Sequence, residues 1–340
     1  MSTFRLGLTR DFLTSAGEVG WGDIGLAALR AYPEIDWEFL PTNEAELSPT
    51  VAQEFDALIV LSPRVTEHTV KDSQRLKLIA RFGVGYDSVD LDACNAAGIV
   101  VTIAPDGVRR PMAMAAITLL LALSHNLLIK DGLVRDGLWG ERLHHMGIGV
   151  TGRALGLIGL GNIGREIVSL ALPLGLSCMA FDPYVAEQAP IAAGVELVQL
   201  DELLARSDYV CVSCPLNEAT YHLIGEQELA RMKPSAFLIN VARGPIVEQD
   251  ALVSALRSGG IRGAGLDVFE REPAGPANPL SQCPNVILAP HSLGWTDELA
   301  IGIGMSNLHN VIAVSKRRLP EHIVNPAALE HPRLAGWFER

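Results

Sequence analysis

Short apolar runs recur along the chain at 5–9, 57–61, 78–82, 155–159, 177–181, 209–213, 237–241 and 286–289. They lack the apolar–polar alternation of a half-exposed strand, so they read as strands buried on both faces. Stretches with helical spacing lie between many of them, as at 70–76, 165–174, 227–232 and 249–258, and a long one follows at 297–315. This order predicts βαβ units and parallel sheets covered by helices, the α/β class. Two runs end alike, in Phe82-Gly83-Val84-Gly85 and in Ile158-Gly159-Leu160-Gly161. The echo predicts two doubly wound domains, each with a tight turn at a strand's carboxyl end, where ligands bind in open sheets.

Length agrees with two domains, since a single core stops growing near 250–300 residues and the chain has 340. The apolar share of 49% supplies ample core. A formal net charge of −12 argues against nucleic acid as a partner, because phosphate neutralisation needs clustered Lys and Arg. It leaves room for a small anionic substrate facing a few arginines. The apolar stretch 112–123 is too short to span a bilayer and reads as a buried helix started by Pro111. The stretch 102–110 reads as the crossing between domains, and the region near 294–296 as the crossing back. No membrane association is expected, and the expected location is the cytoplasm. Five cysteines do not suggest a disulfide framework. Cys211 and Cys214 spell C-x-x-C, but residues three apart on a strand point to opposite faces, and no second pair completes a zinc site, so no metal is expected.

The run Gly159-Leu160-Gly161-Asn162-Ile163-Gly164 fits G-x-G-x-x-G between a strand and a helix, and Asp182 follows at the end of the next strand. The first glycine turns the chain, the second lets a pyrophosphate approach the backbone, and the third lets helix pack on strand. The unpaired N–H groups of the helix start then face the phosphates. A carboxylate at Asp182 accepts hydrogen bonds from ribose hydroxyls and repels a 2′-phosphate, so NAD is favoured over NADP. Farther on, Arg243, Glu272 and His291 each follow an apolar strand. An arginine holds a carboxylate in bidentate geometry. A histidine exchanges a proton with a developing alkoxide near neutrality, and an adjacent carboxylate stabilises the imidazolium.

From about Arg81 to Thr296 the sequence resembles the D-isomer-specific 2-hydroxyacid dehydrogenases, most closely the phosphoglycerate dehydrogenase-like branch. The resemblance rests on Gly83-Val84-Gly85-Tyr86-Asp87, the 159–164 loop, Asp182-Pro183, Cys214-Pro215-Leu216, 240–244, 267–273 and Pro290-His291, in that order. It implies a discontinuous, flavodoxin-like substrate domain at 1–105 and 296–340, and a Rossmann NAD-binding domain at 106–295. It further implies Arg243, Glu272 and His291 as the catalytic set, with Glu272 preferred to its neighbour Glu270 on its spacing to Pro273. Backbone N–H groups of Val84 and Gly85 would hold the substrate carboxylate. Asn162, Ile163, Asp182, Cys214, Val241, Ala242, Asp267 and Gly294 would line NAD. A homodimer is implied as well, with the apolar helix 112–123 as its expected surface.

Two departures leave the substrate open. Arg109 and Arg110 stand where many relatives carry an acid–histidine pair, and Trp295 stands where relatives often have a small residue. Arg64, Arg81 and Arg109 are candidates for an anionic substrate tail. Two other functions compete with a 2-hydroxyacid substrate: a non-catalytic NAD sensor of the same fold, and a phosphite-type dehydrogenase.

Overall fold

The computed structural model describes residues 3–185 and 194–338. Its strands are β1 (Phe4–Leu8), β2 (Ile35–Phe39), β3 (Ala57–Val60), β4 (Leu78–Arg81), β5 (Val100–Thr102), β6 (Ala154–Ile158), β7 (Ser177–Phe181), β8 (Val195–Leu197), β9 (Tyr209–Val212), β10 (Phe237–Asn240), β11 (Gly263–Leu266) and β12 (Val286–Leu288). Its α-helices are α1 (Pro49–Glu54), α2 (Glu67–Val70), α3 (Leu91–Ala96), α4 (Pro105–Ser124), α5 (Leu127–Arg135), α6 (Asn162–Ala171), α7 (Leu200–Arg206), α8 (Glu226–Arg231), α9 (Gln249–Ser258) and α10 (Asp297–Ser315). The chain divides into two compact units, Met1–Val108 with Trp295–Arg340, and Arg109–Gly294.

The first unit holds a five-stranded parallel sheet in the order β2-β1-β3-β4-β5. That is the flavodoxin-like order, with its switch point between β1 and β3. Leu58, Val60, Ile79 and Val101 form one buried cluster with Phe55, Val70 and Cys94. The edge is closed by Asn325, whose side chain accepts from Val101 N–H at 2.7 Å and donates to the Ile99 carbonyl at 2.9 Å.

The second unit holds a seven-stranded parallel sheet in the order β12-β11-β10-β9-β6-β7-β8. Its direction reverses between β6 and β9, which is the Rossmann switch point. Both faces are covered. Leu155, Leu157, Cys211 and Ile239 pack with Ala116, Leu119 and Leu120 of α4, whereas Ile158, Val210, Val212 and Leu238 pack with the opposite layer. Alternate side chains therefore enter two different cores, which is why these strands read as continuous apolar runs. Cys211 lies in the first core and Cys214 packs against the second, and both thiols are free. Among the described residues no cluster suited to a metal ion occurs.

Some elements differ from the sequence reading. Helix 70–76 is instead α2 at Glu67–Val70, at whose start Thr66 N–H donates to Thr69 Oγ1 at 3.2 Å. The helix at 112–123 begins at Pro105, with Pro111 inside it, so much of the expected crossing at 102–110 is helical. A helix can start there because Gly107 meets the backbone of Gly302, where a Cβ would lie 2.4 Å from the Gly302 carbonyl carbon. Strands β2, β5 and β8 were not expected. β2 and β8 are sheet edges with exposed positions, and β5 has three residues, so none carries a buried run long enough to read.

Candidate active site

The glycine loop joins β6 to α6 at the switch point of the seven-stranded sheet. Gly159 has φ +98°, and a Cβ there would meet the backbone of Cys214 at 2.8 Å. Only glycine adopts that turn against that neighbour at no steric cost. A Cβ on Gly164 would lie 2.4 Å from the Gly159 carbonyl oxygen, so this glycine lets the helix close onto the strand end. At Gly161 the added Cβ would meet nothing within 4 Å. The middle glycine is thus required by no protein neighbour, and it fronts open space at the start of α6. That is the cradle a pyrophosphate needs, so the loop fits a dinucleotide.

Asp182, at the end of β7, reaches back to this loop. Its Oδ2 accepts from Leu160 N–H at 2.8 Å and its Oδ1 accepts from Tyr184 N–H at 2.9 Å. Each oxygen keeps a further lone pair for a ribose hydroxyl. Ser213 Oγ donates to the Gly159 carbonyl at 2.8 Å, which sets the end of β9, and Cys214, against the glycine turn. Burial pushes the Cys214 thiol up to about 11. Asn162 is exposed at the first position of α6 and Ile163 is half-buried.

The polar cluster forms at the carboxyl ends of β10, β11 and β12. His291 Nδ1 lies 2.8 Å from Glu272 Oε2. The other oxygen, Oε1, accepts from Phe269 N–H at 2.9 Å. Both side chains stay partly exposed. Burial raises the Glu272 carboxyl, but the hydrogen bonds from His291 and Phe269 N–H and the charges of His291 and Arg243 outweigh it, so it ionises below its usual range. Glu270 does not approach His291. It lies 2.8 Å from His222 Nε2 and accepts from Gln249 N–H at the start of α9.

His291 has φ +53°, a left-handed conformation uncommon for a non-glycine residue. The turn is held by Asp267, whose Oδ1 accepts from Ser292 N–H at 2.9 Å and from Leu293 N–H at 3.1 Å. Asp267 is 1% exposed, and burial pushes its carboxyl up against the pull of these two bonds. Gly294, buried, follows the same turn.

Arg243 is half-buried, with one guanidinium nitrogen donating to the Ala242 carbonyl at 2.8 Å. Its turn is built by Asn240, which sequence reasoning passed over. Asn240 Nδ2 donates to the Arg243 carbonyl at 2.9 Å and its Oδ1 accepts from Ala242 N–H at 3.0 Å. The only sequence signal was an amide at the end of an apolar strand. Gly244 is pressed so closely on Phe269 that a Cβ would lie 1.9 Å from the Phe269 carbonyl carbon. The Pro245 carbonyl accepts from His222 N–H at 2.8 Å on the other side. The turns bearing Arg243 and Glu272 are therefore locked together, with the Glu270–His222 pair closing the bracket. Val241 is buried and Ala242 half-buried beneath them.

In the first unit, Val84 and Gly85 follow β4. Among the described residues no acceptor meets either N–H. Gly83, at φ +142°, turns the chain so that the pair follows the strand end. Arg81 spans this loop: its Nε donates to the Gly85 carbonyl at 3.0 Å, and one Nη donates to the carbonyls of Val60 and Leu61 at the end of β3. The Arg64 side chain is exposed. Arg109 and Arg110 both point to Glu166 on α6, at 3.5 and 2.8 Å.

The lowered Glu272 value has a consequence for stability. A carboxylate whose folded value is depressed stabilises above its unfolded value, about 4.3, and loses that contribution as pH falls through the folded value. Denaturant midpoints of the natural protein and Glu272→Gln, taken from pH 7 to pH 3, are expected to differ most at the neutral end and to converge in acid. A gap independent of pH would contradict the ionised Glu272 carboxylate.

The model of the D-isomer specific 2-hydroxyacid dehydrogenase, NAD binding domain, matches residues 117–292. The glyoxylate reductase of Korarchaeum cryptofilum is 36% identical over 310 residues, covering 88% of this chain and 92% of the relative. The D-3-phosphoglycerate dehydrogenase of Archaeoglobus fulgidus is 36% identical over 277 residues, covering 81% of this chain and 52% of the relative. Among solved structures, a glyoxylate reductase from Paecilomyes thermophila superposes with a TM-score of 0.81 at 27% identity, covering 95% of this chain and 99% of that one. The D-lactate dehydrogenase of Aquifex aeolicus, complexed with NAD and lactic acid, gives 0.80 at 25% identity, covering 94% and 99%. With the dinucleotide loop and the histidine–carboxylate pair in place, the chain belongs to the D-isomer specific 2-hydroxyacid dehydrogenases, NAD-dependent oxidoreductases acting on the CH–OH group of a 2-hydroxyacid.

Proposed function

We propose that Arg243, Glu272 and His291 carry out the interconversion of a D-2-hydroxyacid and its 2-keto acid in this chain. The hydrogen bond between His291 Nδ1 and Glu272 Oε2 at 2.8 Å carries the reading. An ionised Glu272 keeps the proton on Nδ1, so Nε2 is the nitrogen that exchanges a proton with the substrate oxygen. In reduction His291 donates that proton to the carbonyl oxygen as it becomes an alkoxide, and in oxidation it takes the proton back. Glu272 balances the imidazolium. Arg243 pairs with the substrate carboxylate and draws electron density from the carbonyl. The N–H groups of Val84 and Gly85, open among the described residues, are donors of the kind a substrate carboxylate takes. Arg81 serves them by holding their loop, and the exposed Arg64 meets a more anionic tail. Arg109, the third of the arginines assigned to such a tail, is shared with Glu166 and contributes less.

NAD, when bound, supplies the hydride acceptor or donor. Gly159, Gly161, Asn162, Ile163 and Gly164 form its phosphate cradle, Asp182 faces the adenine ribose, and Cys214, Val241, Ala242, Asp267 and Gly294 line the remainder. The unit 109–294 then serves as the NAD-binding domain and the unit 1–108 with 295–340 as the substrate domain.

We further propose a cytoplasmic homodimer. The apolar helix expected to form its surface is spent on the core, where Ala113, Ala116, Leu119 and Leu120 of α4 are buried. Among the described residues the one helix long and apolar enough to cross a membrane is this same α4, with 56% of its apolar window buried in the protein. The unpartnered face lies just beyond. α5 buries none of its residues, and Leu128, Val134, Trp139, Leu143 and Met146 are 55–73% exposed. A second copy of the chain would cover them. Five free cysteines accord with a reducing compartment.

Each element has its test. His291→Ala is expected to lower kcat for 2-keto acid reduction by about 10²–10⁴, measured as NADH oxidation, and near-normal turnover would refute the assignment. Asp182→Ala is expected to erode the preference for NAD over NADP in kcat/KM. Leu128→Asp with Leu143→Asp is expected to convert a dimer into a monomer in analytical ultracentrifugation. A natural protein that sediments as a monomer at micromolar concentration would exclude the dimer.

A further inference from the structure

The loop after β1 is more ordered than its composition suggests. Thr14 N–H donates to the Glu18 carbonyl at 2.8 Å and Gly20 N–H to the Phe12 carbonyl at 2.9 Å, closing a small hairpin. Asp11 ties it to the loop after β3, with its Oδ2 accepting from Ser62 N–H at 2.9 Å. This hairpin delivers Trp21 to the carboxyl edge of the five-stranded sheet. There Trp21 lies edge-on to Phe82 with centroids 5.1 Å apart, and Phe82 is in turn edge-on to the buried Phe12 at 4.8 Å. Trp21 also packs at a tilt against Trp295, with centroids 4.2 Å apart and planes 40° apart.

Trp295 is the unusual member. It directly precedes Thr296, whose side chain caps α10 by accepting from Leu299 N–H at 3.2 Å. Its backbone is therefore fixed at a helix start, and its ring is fixed by Trp21. Yet 55% of the residue remains exposed. A large apolar ring held in place and left uncovered is a feature that calls for an occupant, because covering it recovers free energy in proportion to the area removed from water. Phe82, at the base of the stack, is followed within three residues by Val84 and Gly85, whose N–H groups are open. Trp295 follows His291 by four residues in the chain. The aromatic stack thus borders the proposed carboxylate anchor on one side and leads by sequence to the proposed proton donor on the other.

We propose that Trp21 and Trp295 form the binding surface for the C3 substituent of the substrate, and that this substituent is a planar aromatic ring. The inference rests on the catalytic reading above. A preformed pair of indoles offers a flat face to a ring and recovers little from glyoxylate, which has no carbon beyond its aldehyde. A ring stacked on Trp295 adds dispersion and quadrupole attraction to the area it covers. The carboxylate on Val84 and Gly85 fixes one end of the molecule and the indoles fix the other, leaving C2 between them.

Steady-state NADH oxidation with phenylpyruvate, pyruvate and glyoxylate tests this in the natural protein and in Trp295→Ala, Trp295→Phe and Trp21→Ala. In the natural protein kcat/KM for phenylpyruvate is expected to exceed that for pyruvate by about tenfold or more. Trp295→Ala is expected to reduce the ratio of phenylpyruvate to glyoxylate activity by about tenfold, with the loss mainly in KM, and Trp295→Phe to restore most of it. Should Trp21→Ala unfold the hairpin, the Ala and Phe variants at 295 still decide. Equal losses on all three acids, or an improved phenylpyruvate ratio in Trp295→Ala, would make the stack a packing device or a barrier and overturn the inference. Reduction of glyoxylate without phenylpyruvate would do the same while leaving the catalytic reading standing. Reduction of none of the three would overturn the catalytic reading on which it rests.

Discussion

The grip of Asp267 on the turn that carries His291 is the constraint on which the rest of the proposed catalytic cluster depends. A histidine at φ +53° stores backbone strain of about 1–3 kcal/mol and persists only where its surroundings over-determine it. Here a buried carboxylate accepts two successive main-chain N–H groups just beyond the histidine. Those two donors offset part of the cost of burying the carboxylate, which burial still pushes up. The ring that results is presented to Glu272 at hydrogen-bond distance, and Glu272 is itself pinned by the Phe269 N–H. Strain at one residue is thus converted into a defined direction for Nε2.

Around this turn the second unit uses close backbone contact where side chains would be less exacting. Gly164 lies on the Gly159 carbonyl, and Gly244 lies on the Phe269 carbonyl. One contact seats the dinucleotide helix on its strand, and the other joins the arginine turn to the glutamate turn. Asn240 completes the second junction by bonding on both sides of Arg243. The geometry of the cluster therefore rests on main-chain contacts at the carboxyl ends of β6, β10, β11 and β12, and the exposed side chains add the reactive groups.

Much of this was legible in the sequence because it follows from patterns with a single physical cause. Runs buried on both faces announced the parallel sheets. The glycine spacing announced the loop, since turn, open approach and close packing each require glycine for a separate reason. The choice between Glu270 and Glu272 was not legible from composition: both are acids in one short loop, and only the fold assigns one to His222 and the other to His291. Asn240 was missed because a buried amide at a strand end looks like any polar stop. Arg81 and Arg109 looked like anion receptors because sequence reveals a charge but not its partner, and here the partners are backbone carbonyls and Glu166. β2 and β8 escaped because exposed positions interrupt the apolar run on which the reading relied, and β5 because its run is only three residues long.

Asp182 bears on the timing of cofactor exchange. Its two oxygens are held by the N–H groups of Leu160 and Tyr184 in the protein alone. A carboxylate so held has surrendered its rotamer freedom during folding, an ordering cost of about 0.5–1.5 kcal/mol that a mobile side chain would incur at each encounter with a ligand. On the proposed role of Asp182, the dinucleotide meets a ribose acceptor already in position. In a reaction where oxidised and reduced cofactor must trade places on every cycle, arrival then waits on diffusion and not on a side chain finding its place.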